Sequence, residues 1–362
     1  MLYHFLYQLK EFWFGFNVFK YITFRAGLAA FTSFVICVSI GPVIIKWLRA
    51  FKIGQYVRRE HVEEIYNLHK HKEGTPTMGG ILIIVSVVVS SLLWCRLDNS
   101  YVLLTMAGMI WLGLVGFLDD FMKLKNKSSK GIRGVSKLAG QIIIALIVGI
   151  FVLQNEAIGA DLYLPFIKNS VCNLGILYII FILIVIVGSS NAVNLTDGLD
   201  GLAVGCVIFV TFTYAVFSYI TGHVNLSEYL HIFYLPGAGE LAVFCAALMG
   251  AGLGFLWFNS YPATIFMGDT GALSLGGTIA IISVLIKKEF LLLLAGAVLV
   301  FEALSVIIQV TYFKTTKKRV FLMTPIHHHF QIKGWHEAKI TTRFLIVAAI
   351  FAILSIAALK VR

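Results

Sequence analysis

Long apolar runs recur along the whole chain and are separated by short polar stretches. Each run approaches the ~20 residues that a helix needs to cross a bilayer, and no polar stretch is long enough for a soluble domain. The pattern predicts an all-α integral membrane protein with one polytopic domain over residues 1–362. It predicts ten transmembrane helices: Ile22–Trp47, Met78–Leu97, Tyr101–Leu118, Val135–Gln154, Leu174–Val187, Leu202–Tyr219, Glu240–Trp257, Ala272–Ile286, Phe290–Phe313 and Thr342–Leu359.

Basic residues predict the orientation of these helices. The polar stretches after predicted helices one, three and nine hold most of the 29 lysines and arginines. Since positively charged loops remain in the cytoplasm, these stretches are predicted to be cytoplasmic and both termini periplasmic.

Composition agrees with a membrane protein. The chain has 362 residues, of which 59% are hydrophobic and 13% charged, and its mean hydropathy is +0.89. These values exclude a soluble globular protein. The net charge of +11 suits anionic lipids and anionic substrates. Five scattered cysteines without a CxxC pair indicate buried free thiols, and they argue against a disulfide framework or a zinc site.

Three acidic motifs stand at the ends of apolar runs, where carboxylates are costly and are usually kept for chemistry or ion handling. The helix count places all three on the cytoplasmic side, which predicts a single active site. The first motif, Asp119-Asp120, closes predicted helix three and precedes Lys123. It either holds Mg²⁺ or positions a phosphate, or it forms an interfacial ion pair with the following lysines.

The second motif repeats a polar residue every three positions, at Asn194, Asp197 and Asp200. A helical turn would place these side chains on one face. Gly198 and Gly201 would let a ligand approach the backbone closely. A capped loop explains one such residue but not the whole run, so the motif predicts a binding site.

The third motif is Met267-Gly268-Asp269-Thr270-Gly271, before predicted helix eight. Asp269 or Thr270 is either the N-cap of that helix or part of an anion site at its start. Phe266 beside them offers a flat face for a base.

Three consecutive histidines, His327 to His329, follow predicted helix nine. Adjacent imidazoles cannot all point in one direction, which argues against a three-ligand zinc site. Phosphate donors, one metal-adjacent histidine or a polar interfacial cluster are the alternatives. Glu302 lies within predicted helix nine and is either a proton or ligand site or a paired structural residue.

The segment before predicted helix two is also polar. Thr75 and Pro76 fit the N-cap and first position of that helix. Lys70 either contacts a phosphate or nucleotide, or is an ordinary cytoplasmic charge.

Together the motifs Gly-Phe-Leu-Asp119-Asp120, Asn194-Leu-Thr-Asp197-Gly-Leu-Asp200-Gly, Phe266-Met-Gly-Asp269 and Pro-Ile-His-His-His resemble the polyprenyl-phosphate N-acetylhexosamine-1-phosphate transferases over essentially the whole chain. The triple histidine makes the chain most similar to the members that transfer phospho-N-acetylmuramoyl-pentapeptide. Gln331 departs from the pattern, since an acid often follows the histidines, and we expect this to adjust the loop without abolishing activity.

The resemblance implies transfer of phospho-N-acetylmuramoyl-pentapeptide from UDP-MurNAc-pentapeptide to undecaprenyl phosphate, giving lipid I and UMP in peptidoglycan biosynthesis. It implies Mg²⁺ as cofactor, a multi-pass protein of the bacterial cytoplasmic (inner) membrane, an active site facing the cytoplasm and a homodimer in the lipid bilayer. No nucleic acid is expected as a partner.

By position, the resemblance implies catalytic roles for Asp119, Asp120, Asp269 and His328, and metal binding by the three aspartates. It also implies substrate contacts around the nucleoside, the phosphates and the sugar. The residues expected to make them are Lys70, Thr75, Lys123, Lys137, Asn194, Asp197, Gly198, Leu199, Asp200, Asn259 and Phe266.

The sequence is also compatible with two other functions. A GlcNAc-1-phosphate transferase of the same superfamily would differ in its soluble donor. An ion-coupled transporter would also carry intramembrane acids, but transporters place them near the midplane between repeated halves. Here the acids lie at the ends of the apolar runs and no internal repeat is visible.

Overall fold

The computed structural model describes residues 2–50, 74–126, 131–167 and 170–360. Within these ranges the chain is mostly helical, with one small hairpin of strands β1 (Asp161–Leu162) and β2 (Cys172–Asn173). The α-helices, numbered α1 to α14 in order, are Leu2–Gln8, Ile22–Ala50, Gly80–Trp94, Ser100–Lys125, Gly134–Gln154, Leu177–Thr196, Leu202–Thr221, Val224–Tyr229, Glu240–Asn259, Gly268–Leu285, Glu289–Ala295, Ala297–Thr316, Ile326–Ile332 and Glu337–Ala357.

Membrane-spanning character is confirmed. In the described part of the chain, nine helices are long and apolar enough to cross a membrane, namely α2, α4, α5, α6, α7, α9, α10, α12 and α14. Helix α3 is equally apolar but has only 15 residues. At 1.5 Å per residue it is ~22 Å long, short of the ~30 Å hydrocarbon core.

Several predicted helix bounds were wrong where polar residues begin. Helix α4 continues to Lys125, so Asp119-Asp120 lies inside it and does not close it. Helix α6 continues to Thr196 and includes Asn194. Predicted helix nine is two helices, α11 and α12, separated at Gly296.

Helix α10 forms the centre of the bundle and is buried along nearly its whole length. It packs against α3, α4, α6 and α7. Glycines permit this, since a Cβ at Gly276 would lie 2.5 Å from the carbonyl oxygen of Ser189 in α6, and one at Gly116 in α4 would collide with the backbone of Asp269. Close packing of α4 and α6 on α10 brings the three acidic motifs to one end of the bundle.

The cysteines are all free, as predicted. Four of them are buried, and Cys172 in the hairpin is exposed.

Candidate active site

Three aspartates from two distant segments converge at this end of the bundle. Carboxylate oxygens of Asp119, Asp120 and Asp269 all lie within 4.8 Å of one another. Asp119 and Asp120 are almost completely buried, and Asp269 is in the first turn of α10. Buried carboxylates this close repel one another strongly unless cations neutralise them. The cluster therefore has the donor set and the charge that a divalent cation requires.

Asp120 also holds the start of α10. Its Oδ1 accepts a hydrogen bond from the backbone N–H of Asp269 at 3.2 Å, and its Oδ2 accepts from the N–H and the hydroxyl of Thr270 at 3.0 and 2.8 Å. These are amides that a helix leaves without partners in its first turn. The predicted alternative that Asp269 or Thr270 caps its own helix is wrong, because the cap comes from α4.

Two lysines neutralise part of the acidic charge. The ammonium of Lys123 lies 2.6 Å from Asp119 Oδ2 and 3.0 Å from Asp269 Oδ2. The ammonium of Lys137 lies 2.6 Å from the same Oδ2 of Asp269. Three carboxylates thus face two ammonium groups, which leaves a net negative charge in a partly buried site. Both lysines were expected to contact substrate, and the structure brings them to the aspartates.

Asn194 joins the same cluster from the last turn of α6. With its amide nitrogen toward the carboxylate, it donates to Asp269 Oδ1 at 2.9 Å and accepts from Lys137 Nζ at 3.1 Å. Hydrogen-bond partners fix this orientation, since each amide atom then faces a group of complementary type.

The segment after α6 is a tight turn and not a helix. Asp197 is the C-cap of α6, and Gly201 has a left-handed φ of 74° that favours glycine. The prediction that Asn194, Asp197 and Asp200 share a helical face is therefore wrong for Asp200, which lies beyond the turn. Leu199 is buried within it.

Hydrogen bonds from other elements fix this turn. The backbone N–H of Asp200 donates to Glu337 Oε1 at 2.7 Å, and its carbonyl accepts from the Thr341 hydroxyl at 3.1 Å. Asn259, at the end of α9, accepts from the Gly201 N–H at 3.1 Å. Sequence reasoning found Asn259 but missed Glu337 and Thr341, because an acid in a first helical turn is ordinarily a partner of the helix dipole.

Phe266 and Thr75 lie on two segments that pair through their backbones. The Phe266 N–H donates to the Pro76 carbonyl at 2.8 Å, and its own carbonyl accepts from the Gly79 N–H at 2.8 Å. Helix α3 begins only at Gly80, so the prediction that Thr75 and Pro76 start it is wrong. Thr75 instead belongs to an extended segment beside the third acidic motif. Lys70 lies outside the described residues.

The three histidines point in different directions, as predicted. His327 is fully buried beside Glu302, and the Nδ1 of His328 lies 2.7 Å from Gln331 Oε1. The Nδ1 of His329 accepts from the Leu322 N–H at 3.2 Å. His327 also packs against Gly198, which places the histidine segment next to the 197–201 turn.

Asp197, just beyond the end of α6, has a strongly shifted pKa. Burial, together with the nearby charges of Asp269 and Asp120, raises the pKa of this carboxyl to about 7. A carboxyl so placed is partly protonated near neutral pH and can then donate a hydrogen bond to an anionic or carbonyl oxygen.

Several known proteins are similar to the chain, and they are named for one activity. Residues 101–287 match glycosyl transferase family 4, and residues 72–84 match signature 1 of phospho-N-acetylmuramoyl-pentapeptide-transferase. The proteins named phospho-N-acetylmuramoyl-pentapeptide-transferase from Endomicrobium trichonymphae and Desulfotalea psychrophila are each 50% identical to the chain, and the one from Maridesulfovibrio salexigens is 49% identical. Each match covers 100% of both proteins. The chain therefore belongs to the phospho-N-acetylmuramoyl-pentapeptide-transferase family.

Proposed function

We propose that the protein transfers phospho-N-acetylmuramoyl-pentapeptide from UDP-MurNAc-pentapeptide to undecaprenyl phosphate, which gives lipid I and UMP in peptidoglycan biosynthesis. Full-length identity of 50% to relatives named for this transfer carries the proposal. The convergence of three aspartates and two lysines at one end of the bundle supports it, because a reaction between two phosphates requires concentrated charge compensation.

We propose that Asp119, Asp120 and Asp269 hold Mg²⁺. The fit is supported by the closeness of the carboxylate oxygens and by the negative charge that Lys123 and Lys137 leave uncompensated. Asp269 is the principal ligand in this proposal, since its oxygens contact side chains that can rearrange, whereas Asp120 accepts backbone N–H groups of α10 and Asp119 accepts the N–H of Ile132. A bound Mg²⁺ would neutralise the charge that grows on the leaving UMP.

The protein's own groups then have three tasks in the transfer. Lys123 and Lys137 reduce the repulsion between the anionic reactants. Asp119 positions the lipid phosphate or accepts its residual proton. Because the second pKa of a phosphate monoester is ~6, this nucleophile is mostly ionised at neutral pH and a strong base is hardly needed. We therefore propose direct attack. Isolation of a phosphosugar on an aspartate from enzyme given UDP-MurNAc-pentapeptide alone would contradict it.

The donor nucleoside is proposed to bind beside the 197–201 turn. Phe266 would stack on the uracil, with Gly198, Leu199, Asp200, Asn259 and Lys70 around the nucleoside. Asn194, Asp197, Thr75 and His328 would line the adjoining part of the pocket. The hydrogen bonds that fix the turn support this, because a preformed site binds without a large ordering cost.

We further propose that the chain is a single domain with ten membrane crossings, both termini periplasmic and the site on the cytoplasmic face of the bacterial inner membrane. Helix α3 would be the tenth crossing. The surplus of basic residues in the predicted cytoplasmic loops supports this orientation. We propose that two copies form a homodimer.

A transfer assay in detergent tests the function and the metal site together. Wild type and Asp269→Ala are incubated with labelled UDP-MurNAc-pentapeptide or UDP-GlcNAc and undecaprenyl phosphate, with Mg²⁺ or with a chelator. Wild type is expected to form lipid I only with Mg²⁺ and the muramoyl donor. Asp269→Ala is expected to lose at least about 100-fold in rate, because it removes the carboxylate that both lysines share. Transfer from UDP-GlcNAc alone would replace the proposed donor, and full activity of Asp269→Ala would remove it from the metal site.

A further inference from the structure

Glu302 is a fully buried acid in the membrane-spanning helix α12, and the proposed transfer does not use it. Its Oε2 lies 3.1 Å from Nδ1 of His327 and accepts a long hydrogen bond, 3.5 Å, from the backbone N–H of that residue. Among the described residues its Oε1 has no hydrogen-bond partner. An acid in this position is costly, and such residues are generally kept for function.

His327 connects this acid to the 197–201 turn. Among the described residues neither ring nitrogen has a hydrogen-bond partner: Nδ1 is in ion-pair distance of Glu302, and the Nε2 side of the ring lies against the backbone of Gly198. A Cβ at Gly198 would collide with Nε2 and lie 2.9 Å from Cε1. Gly198 does not have a left-handed φ, so the space taken by the imidazole is the reason for glycine here. The Nδ1 atom of the ring thus faces Glu302, and its Nε2 and Cε1 atoms face the turn.

We propose that Glu302 is a positioning residue for the donor site. It fixes the orientation of the His327 ring, the ring packs against Gly198, and Glu337 of α14 accepts the hydrogen bond from the N–H of Asp200. This inference rests on the proposed function, in which the 197–201 turn contacts the nucleoside of the donor. Glu302 itself touches neither substrate. Its loss should therefore weaken donor binding specifically and leave the lipid acceptor unaffected.

The kinetic test compares Glu302→Leu and Glu302→Gln with wild type. Leucine matches the size of the side chain and removes every polar atom, whereas the glutamine amide keeps a polar contact with Nδ1. Glu302→Leu is expected to raise the KM for UDP-MurNAc-pentapeptide by about tenfold or more, because small displacements of positioning groups have large effects. The KM for undecaprenyl phosphate should change less than about twofold, and Glu302→Gln should restore most of the donor affinity.

Glu240→Gln is the matched control. Glu240 is also a buried acid with a cationic partner, Arg25, at 2.6 Å, but it begins the 20-residue helix α9 and lies ~30 Å from the site at the other end. This variant is expected to lower the unfolding temperature without changing the KM for the donor. An equal rise of both KM values in Glu302→Leu, or a rise in donor KM with Glu240→Gln, would assign Glu302 a purely structural role and overturn the proposal.

A cycle of substitutions tests the contact even where Glu302→Leu fails to fold. Gly198→Ala alone should raise the donor KM, since the new methyl group collides with His327. In a His327→Ala background the same change should add little, because the obstructing ring is absent. Additive effects would overturn the proposal. Wild type without any lipid I formation would refute the proposed function itself, whereas an active wild type with additive effects refutes only the support of Gly198 by His327, through which Glu302 is proposed to act.

Discussion

The three aspartates of the cluster are not equivalent, although the sequence presents them alike. Asp269 accepts two lysine ammonium groups and the Asn194 amide, all of which a substrate or a cation can rearrange. Asp120 instead accepts three hydrogen bonds from the first turn of α10. Asp269 therefore has contacts that a ligand could replace, whereas Asp120 also holds α10 against α4.

Asp120→Ala should therefore destabilise the fold. The amides of Asp269 and Thr270 and the Thr270 hydroxyl would lose their acceptor, which costs about 1–2 kcal/mol of unfolding free energy. Asp98→Ala, which breaks an exposed pair with Arg96, is the control and should have almost no effect. Thermal unfolding in detergent measures both, and an unchanged midpoint for Asp120→Ala would show that α10 does not depend on this cap.

At the scale of helices, the sequence predicted which helices form but not where α4 and α6 end. An apolar window stops at the first carboxylates, yet α4 continues past Asp119 because Lys123, one turn later, neutralises it at 2.6 Å. Helix α6 likewise continues through Asn194, whose amide finds partners on α5 and α10. Those partners lie far away in sequence, so no local pattern reveals them.

The same reasoning separates the parts of the site that could be predicted from those that could not. The acids and Asn194 could be identified because polar residues are rare in an apolar chain, and the glycines because they lie between these polar residues. Glu337 could not be found, because its role depends on the last helix reaching Asp200 across the bundle. The partner of Glu302 could not be predicted from the sequence either, since His327 belongs to a later helix.

The junction between α10 and α11 carries a buried lysine that ties it to the hairpin. Lys287 donates to the carbonyls of Gly159 and Asp161 at 2.6 and 3.1 Å and lies 3.9 Å from the ring centre of Tyr178. Burial lowers the pKa of Lys287 from 10.5 to about 8. Between pH 8 and 10.5 the unfolded chain therefore binds more protons at this residue than the folded protein does, and stability should rise with pH.

Lys287→Met should abolish that rise, because it keeps the length of the side chain without a titrating group. The unfolding midpoint of wild type relative to the variant should be higher at pH 9.5 than at pH 7.5. Lys333→Met, at an exposed lysine, is the control and should leave the pH dependence of wild type unchanged. If the unfolding midpoints of wild type and Lys287→Met differed by the same amount at both pH values, the pKa of Lys287 would not be lowered in the folded protein.

For the whole molecule, the proposed function depends on which side of the membrane the acids face. The acidic motifs lie at the ends of α4, α6 and α10 that meet in space, so one face holds them all. In the proposed function the nucleotide donor is water-soluble and reaches them from the cytoplasm. The number of crossings between two labelled positions decides this, because an odd number puts them on opposite faces and an even number on the same face.

The chain supplies its own reporter for this count. Cys172 is exposed, and the other four cysteines are buried. Five span-forming helices, α6, α7, α9, α10 and α12, lie between Cys172 and the exposed Lys318. An impermeant maleimide should label Cys172 in right-side-out vesicles. A cysteine introduced as Lys318→Cys in a Cys172→Ser background should be labelled only in inside-out vesicles, and Cys172→Ser alone in neither. Labelling of both positions from the same side would contradict the odd number of crossings. Labelling of Cys172 only in inside-out vesicles would place the far end of α6, with its acidic motif, in the periplasm and refute the proposed transfer.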